Sequence, residues 1–110
     1  MSGNSCDVVY TALNGMQQNT SREDVIKGGA FLSYMAGYIS AWNGIQLRNV
    51  QNNLPAYPLV NLDPDTQERL LFIYCAQNPL AILYEAVDHG VVKVGVKKQL
   101  KRGVAPGKAN

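Results

Sequence analysis

Cys6, Cys75 and His89 are the side chains best suited to hold a metal or attack a substrate, and the chain contains no other cysteine or histidine. Structural zinc takes a full tetrahedral set of such ligands and catalytic zinc one fewer. Three residues scattered between positions 6 and 89 with no close pair do not supply that set, so no metal site is expected. A fold can bring a Cys–His nucleophilic pair together from distant positions. A reactive thiolate, however, needs an electropositive setting, whereas Cys75 follows the apolar run Leu70-Leu71-Phe72-Ile73-Tyr74. The chain has no phosphate-cradling glycine loop, no GxSxG and no HExxH. Asp63, Asp65 and Glu68 could pass for paired acids, but acids in a first helical turn are already explained by the helix dipole. His89 reads as a surface residue beside Asp88. No nucleophile, base and oxyanion donors assemble, so neither catalytic residues nor a cofactor are expected, and the protein reads as non-enzymatic.

The cysteines leave two readings: buried thiols in a reducing cytosol, or a disulfide made in an oxidising compartment. Size argues for the second. A bridge closing a loop of roughly 70 residues removes unfolded-state entropy worth on the order of 4 kcal/mol. That is a large share of the roughly 5–15 kcal/mol that stabilises a whole domain.

The elements that would position these groups follow from composition and periodicity. The chain of 110 residues is 46% hydrophobic and only 16% charged, enough for one cored domain and against general disorder. No apolar run reaches membrane-spanning length, because Ser33, Gly37, Ser40, Asn43 and Gln46 interrupt the best candidate. The start lacks a leader's basic and apolar regions, which reads either as a cytosolic protein or as a mature chain whose leader has been removed.

Val8, Val9, Ala12, Leu13 and Met16 predict a short helix from Ser5 to about Met16, capped by Asn4 or Ser5. Ser21 with Glu23 and Asp24 predicts a second start, with Gly28-Gly29 as a loosening or interruption. From Ala30 to about Arg48, Phe31, Met35, Tyr38, Trp42 and Ile45 line one face, and Leu32 and Ile39 widen it into a central helix. Residues 49–62, with Asn52-Asn53, Pro55 and Pro58, have no helical period and read as a long loop, a class of segment that often carries function. Asp63-Pro64-Asp65 opens a third helix that must end by Asn78, ahead of Pro79. Asn78-Pro79 then opens a last helix with Leu80, Leu83, Tyr84, Val87, Val91 and Val94 on its apolar face. Beyond His89 the alternation of Val92, Val94 and Val96 with Lys93, Gly95 and Lys97 leaves a short strand as the alternative. The expectation is a single helical domain over 5–102 and a flexible basic tail over 103–110.

Charge is unevenly placed. Residues 1–88 hold eight acids against four bases, net −4, while the last 22 residues hold six bases and no acid, net +6. Lys93, Lys97 and Lys101 would form a basic surface on one helical face. This admits a nucleic-acid or anionic-membrane contact, or simply cations complementing a helix C-terminus. No aromatic residue follows Tyr84. Bases would have no stacking platform, and a nucleic-acid partner is not expected.

Tyr74-Cys75-Ala76-Gln77-Asn78-Pro79, between an amphipathic helix and Leu80–Val87, resembles the YCxxNP segment of the small periplasmic HdeA/HdeB acid-stress chaperones. Gly37-Tyr38-Ile39-Ser40-Ala41-Trp42-Asn43 resembles a helix of exported proteins that share that architecture. Small helical immunity proteins, which neutralise effectors delivered between competing bacteria, form a second similar group. The resemblance implies a disulfide between Cys6 and Cys75. It also implies an all-α bundle of about four helices, a periplasmic or secreted location, capacity to dimerise, and action on a protein partner, either a client or an effector. Protonation of the eight acids and His89 would take the chain from +2 to about +11, a self-repulsion of the kind an acid-activated chaperone uses. Tyr38, Trp42, Asn43, Leu54 and Tyr57 are the expected interface.

Overall fold

The first backbone amides of a helix have no partner within it, and in this chain a distant segment takes them up. In the computed structural model, which describes residues 3–110, helix α1 spans Cys6–Gln17. The Cys6 amide donates to the Ala81 carbonyl (2.7 Å) and the Asp7 amide to that of Pro79 (3.1 Å). The Val8 amide turns to the Asp7 carboxylate (2.9 Å) and the Leu83 amide reaches back to Asn4 (2.7 Å). Ser5 stands at the cap position, but its hydroxyl bonds the Asp7 carboxylate instead of capping the helix.

This pairing corrects one expectation. Asn78-Pro79 does not open a helix: the Asn78 amide and carboxamide both donate to the Tyr74 carbonyl, closing the preceding helix. Residues 78–82 stay non-helical, and the carbonyls of Pro79 and Ala81 serve α1. Leu80, expected on an apolar face, is 93% exposed.

Helix α2, Arg22–Gln51, starts where Ser21 Oγ accepts the Asp24 amide (3.1 Å). Thirty residues at about 1.5 Å each make a rod of about 45 Å, matching the molecule's long axis of 47 Å. Gly28-Gly29 does not interrupt it. A Cβ at Gly28 would stand 2.9 Å from Met16 Sδ, so this glycine is where α2 passes close to α1. Phe31, Met35 and Ile39 are buried, Tyr38 and Trp42 half-buried, and Ile45 exposed. The helix runs three residues into the expected 49–62 loop, to Gln51, and ends where Asn53 adopts φ 56°.

Helix α3, Pro64–Gln77, is opened by Asp63, whose carboxylate accepts the Thr66 amide (3.3 Å), with Pro64 at its first position. Hydrogen bonding to Thr66 holds the Asp63 carboxyl below its ordinary pKa. The Cys6–Cys75 disulfide joins the start of α1 to the last part of α3 with Cα atoms 4.7 Å apart. Both residues are buried among Val9, Leu13, Leu71 and Leu83.

Helix α4 has three continuous parts: Leu83–Val87, a π-helical turn Asp88–Val92, and Lys93–Lys101. The valines are therefore helical, not a strand. Leu83, Val87 and Val91 face the core as expected, but the wider π turn advances the inward face, so Gly95, Val96 and Gln99 are buried and Val94 is exposed. Gly90 sits inside that turn, where a Cβ would lie 2.7 Å from Tyr74 Cβ. The chain is thus an all-α bundle of four helices, and the only β-type pairing among the described residues is an isolated Ser5–Ile82 bridge.

Three outcomes test this packing. Reducing the bridge lowers unfolding free energy by about 4 kcal/mol, read by urea denaturation with and without reductant. Gly90→Ala loses about 1–3 kcal/mol through overpacking. Gly37→Ala, where a Cβ meets nothing within 4 Å, gains about 0.5–1 kcal/mol of helix propensity.

Candidate functional site

After a turn at Asn52-Asn53, residues 54–63 belong to no helix or sheet, so their backbone groups need partners from elsewhere. Carboxamides provide them. Asn43 is bidentate on Val60, donating from Nδ2 to its carbonyl (3.1 Å) and accepting its amide at Oδ1 (2.9 Å). Gln46 Oε1 accepts the Tyr57 amide (2.9 Å). Gln99 Nε2 donates to the carbonyls of Leu59 (3.3 Å) and Ala109 (2.6 Å). Gln67 Nε2 donates to the Leu62 carbonyl (2.8 Å).

The segment after Gly103, expected as a flexible tail, lies along this strap. The Leu59 amide donates to the Lys108 carbonyl (2.9 Å), the Gly107 amide to that of Tyr57 (2.9 Å), and Asn61 Nδ2 to that of Ala109 (3.2 Å). Gly107 takes φ 72° where a Cβ would press on Val50.

The strap brings Tyr57 over Trp42, with ring centroids 6.3 Å apart and planes inclined by 26°. Between this pair and α4 opens a groove of about 310 Å³. Val92, Val96 and Leu100, one helical turn apart on α4, form its apolar wall, and Lys93 and Lys97 stand beside them. Asp88 also lines it, accepting a hydrogen bond from Tyr38 Oη (3.0 Å) and lying 3.5 Å from Lys93 Nζ. Lys93 also reaches His89 Nδ1 at 3.1 Å, and His89 is exposed on the surface. Tyr38 continues into an aromatic row, edge-on to Tyr84 (5.8 Å) and tilted against Tyr34 (6.3 Å). Burial pushes the Tyr38 phenol well above its ordinary pKa of 10.0, and its hydrogen bond to Asp88 adds to the shift. Burial raises Tyr34 likewise.

Of the expected interface residues, Trp42 and Tyr57 wall the groove and Tyr38 anchors Asp88 at its edge. Asn43 turns away to clamp the strap, and Leu54 is exposed at the strap's start, outside the groove. Of the basic surface, Lys93 and Lys97 line the groove, whereas Lys101 lies outside it on the outer side of α4. Sequence reasoning missed Asp88, Val92, Val96 and Leu100 as wall residues. The i, i+4 spacing of 88, 92, 96 and 100 was available, but it competed with the period-two valines. Gln46 and Gln99, 6% and 2% exposed, were also missed, since nothing local marks a glutamine as buried. Both sulfurs are in the bridge, so neither serves as a thiolate nucleophile.

No family model, curated protein or solved structure matches this chain.

The Tyr38–Asp88 contact has a pH signature. A phenol whose folded pKa is raised contributes stability that is complete below about pH 10 and is lost as pH rises toward the folded value. Urea unfolding followed from about pH 8 to pH 11 should show a falling alkaline limb, and Tyr38→Phe should flatten it. An unchanged limb in the variant would remove Tyr38 from the linkage.

Proposed function

We propose that this is an exported, non-enzymatic protein of HdeA/HdeB-like character that works by taking an apolar side chain of another protein into the Trp42–Tyr57 groove. The observation carrying this reading is the groove itself: an aromatic pair held open to solvent, with Tyr57 56% and Leu100 53% exposed beside an aliphatic wall and lysines at the edge. An apolar, aromatic centre with a polar rim is the anatomy of a protein-binding hot spot. The disulfide and the absence of a described helix long and apolar enough to cross a membrane are compatible with export.

In the chaperone form of this reading, acid discharges the carboxylates, breaks the Asp88–Lys93 pair and loosens the wall of the groove for unrelated clients. A second form, immunity against a delivered effector, is favoured by the carboxamide clamps on the strap. Those clamps hold the groove in one shape in advance, and preorganisation suits a single tight partner.

Trp42 is the sole tryptophan, so its emission reports occupancy of the groove directly. The chaperone form predicts suppression of client aggregation at about pH 3 together with a shift in Trp42 emission. The immunity form predicts one neutral-pH partner and no client activity. In either form Val96→Asp weakens binding at least about 30-fold, the scale of a hot-spot loss. Binding that survives Val96→Asp with Trp42 emission unmoved would refute the groove as the site.

A further inference from the structure

The groove takes up only Lys93 and Lys97 from the strongest charge feature of the chain. From Lys93 to Arg102 only Gly95, Val96 and Gln99 are buried, and every exposed side chain is a cation, Val94 or Leu100. Lys93 has Asp88, but Lys97, Lys98 and Lys101 form no ion pair among the described residues, and the Arg102 guanidinium bonds only the neutral Gln99 Oε1 (3.2 Å). A shallow depression on the outer side of α4 is lined by Val94, Lys97, Lys98, Lys101 and Arg102.

The helix dipole accounts for cations in a last turn, here Lys98 and Lys101. It does not account for Lys93 and Lys97, or for the absence of any acid after Asp88. Nor does it account for an aliphatic side chain left in water between the lysines, Val94 at 42% exposure.

We propose that this outer face of α4 docks on an anionic phospholipid surface. Clustered lysines respond to the diffuse negative potential of such a surface. Val94 is placed among them to enter the boundary between headgroups and acyl chains while α4 lies flat. The composition argues against nucleic acid, because the face has no aromatic platform for bases. Three of its four cations are lysines, point charges without the planar fork that reads bases and phosphates bidentately. The docked helix is peripheral: no described helix is apolar enough to cross the membrane.

The test uses the full disulfide-bonded chain and sedimentation with two vesicle types, pure phosphatidylcholine and phosphatidylcholine carrying about a third phosphatidylglycerol. Binding is expected on the anionic vesicles only and should collapse between about 0.05 M and 0.5 M salt. The triple substitution Lys98→Gln, Lys101→Gln, Arg102→Gln lies outside the groove and should lower partitioning by about 100-fold, roughly fivefold per cation. Lys27→Gln on α2 should leave it unchanged, and circular dichroism should show native helicity in both variants. Val94→Ser, outside the groove, should weaken binding at every salt concentration. Equal partitioning on the two vesicle types, or a triple variant that binds like the parent, would overturn the proposal. So would duplex DNA that outcompetes the anionic vesicles at equal ionic strength, which would assign the face to nucleic acid.

Discussion

An extended segment inside a helical bundle has to find a hydrogen-bond partner for every backbone group it buries, and that requirement organises the functional end of this protein. Residues 57–62 belong to no sheet, so Asn43 and Gln46 from α2, Gln67 from α3 and Gln99 from α4 reach in as substitutes for a ladder. Each carboxamide bonds backbone, so the strap is held in position regardless of which side chains it carries. Its outward side chains are then free to serve recognition. Tyr57 is the clearest case: its amide is taken by Gln46, and its ring is left over Trp42.

The opposite end of the molecule solves the same problem with backbone. The unsatisfied amides at the start of α1 are met by carbonyls of residues 79 and 81, and the disulfide a few ångströms away fixes the two segments together. The bridge therefore does more than shorten an unfolded loop. It holds the registry in which α1 and the 78–82 connector satisfy one another, and that registry sets where α4 begins. The π turn then places α4's second half, aligning Val92, Val96 and Leu100 under the aromatic pair while Lys98 and Lys101 face outward. Groove and basic face are two sides of one helix, so a partner in the groove and an anionic surface on the outer side could be engaged together.

Glycines separate into those the fold requires and those it does not. Gly28 and Gly90 mark helix crossings where a methyl group has no room, while Gly37 and Gly44 stand on α2 with open space around them. A mid-helix glycine costs on the order of 1 kcal/mol against alanine, so the latter two weaken α2 with no compensation inside the molecule.

Whatever depends on neighbours within one helical turn was legible in the chain alone. Ser21 and Asp63-Pro64 mark helix starts, Val9-Ala12-Leu13 and Phe31-Met35-Ile39 face the core, and Pro79 marks the end of α3. The bridge between Cys6 and Cys75 was favoured by the size of the chain and implied by the resemblance, and the fold contains it. What only tertiary structure decided involves partners far apart in sequence. Asn43 and Val60 are 17 residues apart, and Gln99 and Leu59 are 40 apart. An amide side chain reads the same at the surface and in a buried clamp until its partner is known. The π turn is of the same kind. Periodicity carries the α-helical face from Leu83 to Val91 and then points to Val94, whereas the extra residue in the turn lets Gly90 fit against Tyr74 and sends Val96 inward instead. Local spacing cannot encode that choice, because it is made by the close approach of α3.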